Sequence, residues 1–410
     1  VIELTPERIA DEAGAEVLVA GRGGRPTRAV IDSRQATAGD LFFGLSGEHD
    51  DGGRFASAAL VAGAWGVVVR PEHGRALLDA AGAGASPGWV LAAADPLAAL
   101  QRLARAWRRE LGRPVVGITG STGKTSVKDI CHAILPARVH SSPENFNTEI
   151  GLPLTVLAAP PEAEVLVLEM AMRGAGQIAE LCGIAEPNVG AITNVGPVHL
   201  ELLGTLEAIA EAKAEIIAGL GEGGRAVIPA DAEALEPHLH DQLVTLTFGP
   251  GGDVFALRSE VVPDDRGHGR AIRTLIGTPE GEQEFAFPFG EAHNLTLEMS
   301  LPEMAARAPQ VAFSRLRGEL IELAGGIVLV NDSYNANPIS MRAALEHLAS
   351  LPAEGRHVAV LGEMKELGPD ARDYHREVGA QARGLGIGPI VGVGELAHDY
   401  APDDWAPDAD

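Results

Sequence analysis

The run Thr119-Gly120-Ser121-Thr122-Gly123-Lys124-Thr125-Ser126 carries the clearest chemical signal in this chain. An apolar stretch, Val115 to Ile118, feeds a glycine-rich turn, and Lys124-Thr125 opens the helix expected after it. In such an arrangement backbone N–H groups and the helix N-terminus cradle phosphate. Lys124 would reach the β/γ-phosphates of a nucleoside triphosphate, and the Thr125 hydroxyl would ligate Mg2+. The loop departs from the usual pattern, because Ile118 stands where its first glycine would be. A glycine turn with a solvated lysine is the alternative; the strand that precedes the turn favours a nucleotide triphosphate site.

A phosphate loop names no reaction, so the polar residues after it matter. Glu169 closes the apolar run Val165-Leu166-Val167-Leu168, the place where an open α/β sheet holds its ligands. Its carboxylate could bind Mg2+ or cap a helix. His199 follows Asn194-Val195-Gly196-Pro197-Val198, just past another strand end, where a lone histidine is more often a satisfied loop residue than a ligand. Lys213 lies between Glu211 and Glu215 on a helix, a spacing that alone reads as a solvated face. His293-Asn294, after Phe289-Gly290-Glu291-Ala292, would ordinarily pass as a turn.

The elements that must position these residues fall into three blocks. Residues 1–94 mix short apolar runs (Ala29 to Ile31, Asp40 to Leu45, Trp65 to Val69, Trp89 to Ala92) with helical stretches such as Arg54 to Ala64, a small α/β unit. Residues 95–313 open with Asp95-Pro96, an N-cap followed by proline at the first helical position. Leu97, Leu100, Leu103, Trp107 and Leu111 keep helical spacing, which predicts an amphipathic helix over Pro96 to Leu111. Strand-like runs at Val115 to Ile118, Val165 to Leu168, Val189 to Ile192 and Ala226 to Ile228 then alternate with helices, as in a covered parallel sheet. From about Leu243 to Phe289 the pattern changes to short alternating strands, which predicts an appended antiparallel sheet. Residues 314–410 repeat strand–helix units (Ile327 to Val330, Pro338 to Leu348, His357 to Leu361, Ala371 to Ala382, Pro389 to Val393), a small doubly wound, Rossmann-like domain.

Charge and composition remove several classes of function. The net charge of −25 repels phosphate backbones and argues against nucleic acid as a partner, though a local anion site remains compatible. With 46% hydrophobic and 22% charged residues the chain can bury sizeable cores, so whole-chain disorder is excluded. No apolar run reaches the length of a membrane span, and Val1 to Ala10 is acidic and amphipathic, so neither insertion nor a signal peptide is expected. Cys131 and Cys182 have no metal-type spacing and favour a reducing cytoplasm.

Taken together, these positions resemble the ATP-dependent Mur ligases of peptidoglycan synthesis, and the likeness extends through all three blocks. It rests on the phosphate loop, Glu169, Asn194 with His199, Lys213 and His293-Asn294. It also rests on Asn145-Phe146-Asn147-Thr148-Glu149-Ile150-Gly151-Leu152-Pro153, Asp332-Ser333-Tyr334-Asn335-Ala336-Asn337-Pro338 and Gly362-Glu363-Met364-Lys365-Glu366-Leu367-Gly368. Asp32-Ser33-Arg34, Gly39-Asp40-Leu41-Phe42 and Gly47-Glu48-His49-Asp50-Asp51-Gly52 resemble the family's uridine-substrate domain. Three features depart from the family: Thr148 stands where relatives commonly have asparagine, only 22 residues separate Asn294 from Arg317 where relatives usually fit a longer helical stretch, and no Lys-Gly-Ser-Arg type motif follows Gly394-Glu395-Leu396. The third block is therefore expected to be incomplete.

The resemblance implies an amide ligase that joins D-alanyl-D-alanine to UDP-N-acetylmuramoyl-tripeptide through an acyl phosphate, acting in the cytoplasm as a monomer. It implies ATP and two Mg2+ ions, with Thr125 and Glu169 on one metal and His199 on the second. Lys213 resembles the lysine that family members carbamylate with CO2. His293 and Asn294 match the adenine-contacting pair, Asp332 the ribose-contacting aspartate, and Arg317 a hinge-proximal arginine that approaches the phosphates. Asp32, Ser33, Arg34, Asn145, Asn147 and Thr148 are expected on the uridine-linked substrate, and Tyr334, Asn335 and Asn337 on the dipeptide. Two alternatives remain: another Mur-type or folylpolyglutamate-type amide ligase, and a nucleotide-binding regulator that never turns ATP over.

Overall fold

The computed structural model describes the chain apart from residues 1, 48–49, 82–87, 144, 264–269, 288–300, 315, 352–354 and 409–410. It divides into two compact units. One comprises Val1–Gly117, Ala137–Met170 and Ala179–Asn188; the other comprises Ile118–Pro136, Ala171–Ile178 and Val189–Asp410.

The first unit is built on a five-stranded sheet in the order Glu16–Val19, Trp89–Ala92, Gly66–Val69, Leu41–Phe43, Ala29–Val30. All neighbours are parallel except Glu16–Val19, which runs antiparallel to Trp89–Ala92. Gly66–Val69 and Trp89–Ala92 are buried at every position, hence their unbroken apolar sequences. The helix Pro96–Leu111 has the expected bounds. Asp95 Oδ1 accepts from the N–H groups of Leu97 and Ala98, Pro96 supplies the fixed φ of the first turn, and Gly112 ends the helix in the left-handed region at φ 59°. Its buried stripe is Leu100, Leu103 and Trp107, and the Trp107 indole N–H donates to the Ala159 carbonyl at 3.2 Å. Val139–Ser141, a short strand with no clear sequence signal, pairs parallel with Val165–Glu169 in this unit.

A six-stranded sheet has the order Val244–Phe248, Arg225–Pro229, Val189–Ile192, Val115–Thr119, Val165–Glu169, Val139–Ser141. One expectation is corrected here. Val244–Phe248 is a parallel edge strand of this sheet, paired with Arg225–Pro229, and the antiparallel pattern begins only at Phe255. The Val-Thr-Leu-Thr-Phe alternation that suggested a new sheet arises because an edge strand stays half exposed on one side.

In the second unit, Phe255–Pro263, Arg270–Thr278 and Gly281–Phe287 form the antiparallel sheet. Its buried Ile276, Phe285 and Phe287 pack with Met304, Ala308 and Val311 against Ile130 and Ile134 of the helix Lys124–Ile134. The appended sheet thus braces the helix that carries the phosphate loop. Nearer the C-terminus, Ala359–Gly362, Ile390–Val393 and Asp404–Ala406 make a parallel sheet flanked by Pro338–Ser350 and Ala371–Gly384. Ile327–Asn331, read as part of that doubly wound pattern, pairs instead into an antiparallel hairpin with Glu319–Leu323. Gly325 and Gly326 supply the positive φ angles, 85° and 76°, that so tight a turn requires.

Trp107→Ala should lower stability in denaturant unfolding by about 3–5 kcal/mol, through lost burial and an unfilled cavity. Asp95→Ala, which removes only the cap, should cost about 1 kcal/mol. Equal costs for the two would contradict this account of the helix.

Candidate active site

The phosphate loop belongs to the second unit and takes its shape from the segment Thr193–Gly196. Thr119 is hydrogen-bonded to Thr193 through the ladder at 2.9 Å, and the chain then turns at Gly120, φ 144°. A Cβ on Gly120 would lie 1.9 Å from Thr193 Oγ1, so only glycine fits. The Thr193 hydroxyl donates to the Thr122 carbonyl, and Asn194 Oδ1 accepts from the Thr122 N–H at 3.0 Å. Ser121 Oγ donates to the Gly196 carbonyl at 3.0 Å and accepts from the Gly196 N–H at 2.9 Å. Gly123, left-handed at φ 80°, then starts the helix, with Thr125 buried in its first turn and Ser126 partly exposed. Lys124 Nζ donates to the Gly120 carbonyl at 2.7 Å, which holds the ammonium over the loop. Sequence reading missed the roles of Thr193 and Gly196; a small polar residue and a glycine just past a strand end are too common to signal anything unaided.

Lys213 overturns the solvated-face alternative. It is 2% exposed in the helix Leu206–Ala218, among buried Ile209, Ala210, Ala212, Ala214, Ile216 and Ile217. Burial pushes its amine well below the ordinary lysine range, and the positive charge of Lys124 pushes the same way. Glu215, one of the two flanking glutamates, accepts from the Gly176 N–H through Oε1.

His199 sits in the left-handed region at φ 56°, at the start of the turn Leu200–Leu203. Its Nδ1 is hydrogen-bonded to Glu366 Oε2. Burial lowers its pKa, Glu366 opposes that shift, and the cations of Lys213 and Lys124 reinforce it. Glu366 lies within a motif quoted above but carried no role there, since nothing in the sequence connects positions so far apart.

Further along, the guanidinium of Arg317 stacks over the Tyr334 ring at 4.2 Å, and the Tyr334 N–H donates to the Leu316 carbonyl. Asp332 and Asn335 are exposed. Asn337 is buried, and its Oδ1 caps the helix Pro338–Ser350 by accepting from Ile339 and Ser340 N–H groups at 3.1 and 2.9 Å. Asp129 Oδ2 accepts from the Ser314 N–H at 2.7 Å, which ties the start of the third block to the phosphate-loop helix.

In the first unit, Glu169 is 2% exposed at the end of its strand. Asn147 Nδ2 donates to its Oε1 at 2.8 Å, and its own N–H donates to Ser142 Oγ at 3.2 Å. Asn145 and Thr148 are exposed in the same loop, where Thr148 Oγ1 accepts from the Gly151 N–H. Asp32 caps the short turn Ser33–Gln35 and holds Arg34 through both carboxylate oxygens, which draws the Asp32 pKa down to about 2. His293 and Asn294 lie outside the described residues.

A loop of backbone N–H groups with a lysine over it, on the end of a buried parallel strand, defines a nucleotide triphosphate-binding α/β protein. The comparisons with known proteins go further. The model for the Mur ligase middle domain matches residues 118–296, and the model for the Mur ligase, glutamate ligase domain matches residues 316–406. The UDP-N-acetylmuramoyl-tripeptide–D-alanyl-D-alanine ligase of Bacillus subtilis is 38% identical over 367 residues, covering 85% of this chain and 76% of its own. A crystal structure of MurF from Acinetobacter baumannii superposes with a TM-score of 0.85 at 28% identity, covering 98% of this chain and 88% of that one. That of MurF ligase from Thermotoga maritima in complex with ADP gives 0.75 at 28% identity, covering 92% and 87%. The chain belongs to the Mur ligase family.

Gly120→Ala should weaken nucleotide binding by about ten- to a hundredfold, the equivalent of the strain it would impose on the loop; unchanged affinity by titration calorimetry would contradict the Thr193 contact. Lys213 has its pKa lowered on folding, so its cost to stability is absent above the unfolded value of 10.5 and grows as pH falls towards the folded value. In CO2-free buffer Lys213→Met should therefore gain stability over the parent at neutral pH and lose that advantage near pH 10.5. A pH-independent difference would contradict the buried, neutral amine.

Proposed function

We propose that this protein joins D-alanyl-D-alanine to UDP-N-acetylmuramoyl-tripeptide at the expense of ATP, a step in making peptidoglycan precursor. The observation that carries the reading is a phosphate loop with Lys124 over it and, in the same unit, a buried lysine whose amine is driven towards neutrality. A regulator that merely holds nucleotide would use the first and have no need of the second. Similarity to the Bacillus subtilis ligase and to the ADP-bound Thermotoga maritima structure supports both the substrates and ATP.

The chemistry follows from the weakness of a carboxylate as an acylating agent. The terminal carboxylate of the tripeptide attacks the γ-phosphorus of ATP; the bond to the β,γ-bridging oxygen breaks, and ADP leaves. The amine of D-alanyl-D-alanine then adds to the acyl phosphate carbonyl, phosphate departs and the amine proton is lost. Repulsion between carboxylate and triphosphate opposes the first step, and Lys124 with the loop N–H groups offsets it. The donors present suit Mg2+. The first unit holds a buried carboxylate kept in place by Asn147, and the second a buried hydroxyl at a helix N-terminus; each is an oxygen donor of the kind Mg2+ takes, its remaining ligands coming from phosphate and water. Thr125 and Glu169 would hold one ion and His199 would help hold a second; the ions would supply charge neutralisation at the transferring phosphoryl group.

Lys213 is assigned as the carbamylated lysine. A neutral amine attacks CO2 and loses a proton, and the resulting carbamate puts an anion where a cation is costly, a charge that the positive charge of Lys124 favours. His293 and Asn294 are assigned to adenine, Asp332 to ribose and Arg317 to the phosphates. Asp32, Ser33, Arg34, Asn145, Asn147 and Thr148 are assigned to the uridine-linked substrate. Tyr334, Asn335 and Asn337 are assigned to the dipeptide, Asn337 also capping the helix that follows their turn. Three domains, 1–94, 95–313 and 314–410, a cytoplasmic location and a monomeric state complete the reading.

Phosphate release from ATP and Mg2+ should require both the UDP-linked tripeptide and D-alanyl-D-alanine. Lys124→Ala should lower it by at least about a hundredfold, the usual scale for a lost transition-state charge contact. Release with neither substrate, or none with both, would sink the assignment. Lys213→Arg, which keeps the charge but cannot form the carbamate, should be as inactive as Lys213→Ala.

A further inference from the structure

The second unit holds a contact that the ligase chemistry above does not use. Glu366 Oε2 is hydrogen-bonded to His199 Nδ1, and the backbone adds a second link, the Glu201 N–H donating to the Glu366 carbonyl at 3.3 Å. Both ends of this contact are in the left-handed backbone region, His199 at φ 56° and Glu366 at φ 61°. For a glutamate that conformation is unfavourable and persists only where the surroundings fix it. They do so on both sides. Met364 and Leu367 are fully buried, and the Met364 N–H donates to His375 Nε2 at 3.0 Å. His375 is itself held by its Nδ1 donating to the Ala371 carbonyl. Gly368 follows at φ 69°, its backbone against Leu200 and Glu201.

We propose that Glu366 is a positioning residue for His199. A carboxylate only accepts, so the proton of the imidazole is held on Nδ1 and the lone pair is left on Nε2, the atom through which a histidine would approach a cation. The pairing also makes this side chain dependent on the Gly362–Gly368 loop. Ile339, on the helix Pro338–Ser350, packs against the same segment, since its Cδ1 fills the space that a Cβ on Gly196 would occupy, 1.9 Å away. Gly196 is the residue whose backbone clasps Ser121 of the phosphate loop. The segment Gly196–Glu201 is therefore held between the phosphate loop and the loop that carries Glu366. This inference rests on the ligase reading only for its kinetic consequence; the protonation pattern of His199 is independent of turnover.

The informative variant is Glu366→Gly. Glycine favours φ near 61°, so this change removes the carboxylate while relieving the backbone, and thermal stability should hold or rise. NMR of histidine ring nitrogens, with the His199 signals assigned through His199→Gln, should show the Nδ1–H form in the parent. That form should give way to the ordinary Nε2–H form in Glu366→Gly. In the full ligase assay kcat should fall on the order of 10–100-fold with KM for the UDP-linked tripeptide unchanged, the usual scale for losing a residue that orients a ligand. Glu366→Gln, whose amide oxygen can still accept from Nδ1–H, should recover part of kcat and the parent tautomer. Lys365→Ala, next in the chain and paired across the surface with Glu363, should match the parent. An Nε2–H form in the parent would overturn the proposal. So would the parent tautomer, or undiminished kcat, in Glu366→Gly. A parent that never turns over would sink the ligase reading and leave the tautomer measurement to decide this one.

Discussion

A buried lysine amine beside a second cation is the constraint on which this structure turns. The helix Leu206–Ala218 buries its apolar residues and leaves Lys213 only 2% exposed, and Lys124 adds its positive charge within the same unit. A protonated amine there is expensive, so the position selects a neutral amine, an anionic derivative of it, or a polyanion close by. Each of these suits a site that must draw triphosphate and carboxylate together in a protein of net charge −25. The remainder of the second unit holds Lys124 and the phosphate loop in a fixed shape. The antiparallel sheet braces the helix Lys124–Ile134, and the segment Thr193–Gly196 clasps the loop in front of it.

Much of the chemistry was legible because it is carried by short contiguous runs. The loop Thr119 to Ser126 announces itself, since glycines and a lysine at the end of an apolar strand have few other uses. The helix Pro96–Leu111 was readable to the residue because cap, proline, periodicity and terminal glycine agree. The sheet strands at Val189–Ile192 and Trp89–Ala92 also fell where their apolar runs are, for buried strands must be apolar on both faces.

What escaped depends on pairings between distant positions. Val244–Phe248 alternates like an antiparallel strand because it is an edge strand, and only its partner reveals the sheet it joins. Lys213 between two glutamates looks solvated until Glu215 is seen to bind the Gly176 backbone and its neighbours are seen to be core. Asn337 illustrates the reverse: a residue conspicuous in a chemical motif is buried and spends its Oδ1 on a helix cap. Glu366 and His199 are more than 160 positions apart, and no local pattern could have joined them.

Activation of the carboxylate by phosphoryl transfer is tested most directly by the path of one oxygen atom. The terminal carboxylate of UDP-N-acetylmuramoyl-tripeptide would be enriched with heavy oxygen, the ligation run with ATP, Mg2+ and D-alanyl-D-alanine, and the inorganic phosphate analysed by mass spectrometry. An acyl phosphate predicts one labelled oxygen in each phosphate released, because the bond that breaks in the second step lies between the carbonyl carbon and that oxygen. Phosphate without label, or label recovered in AMP, would contradict it.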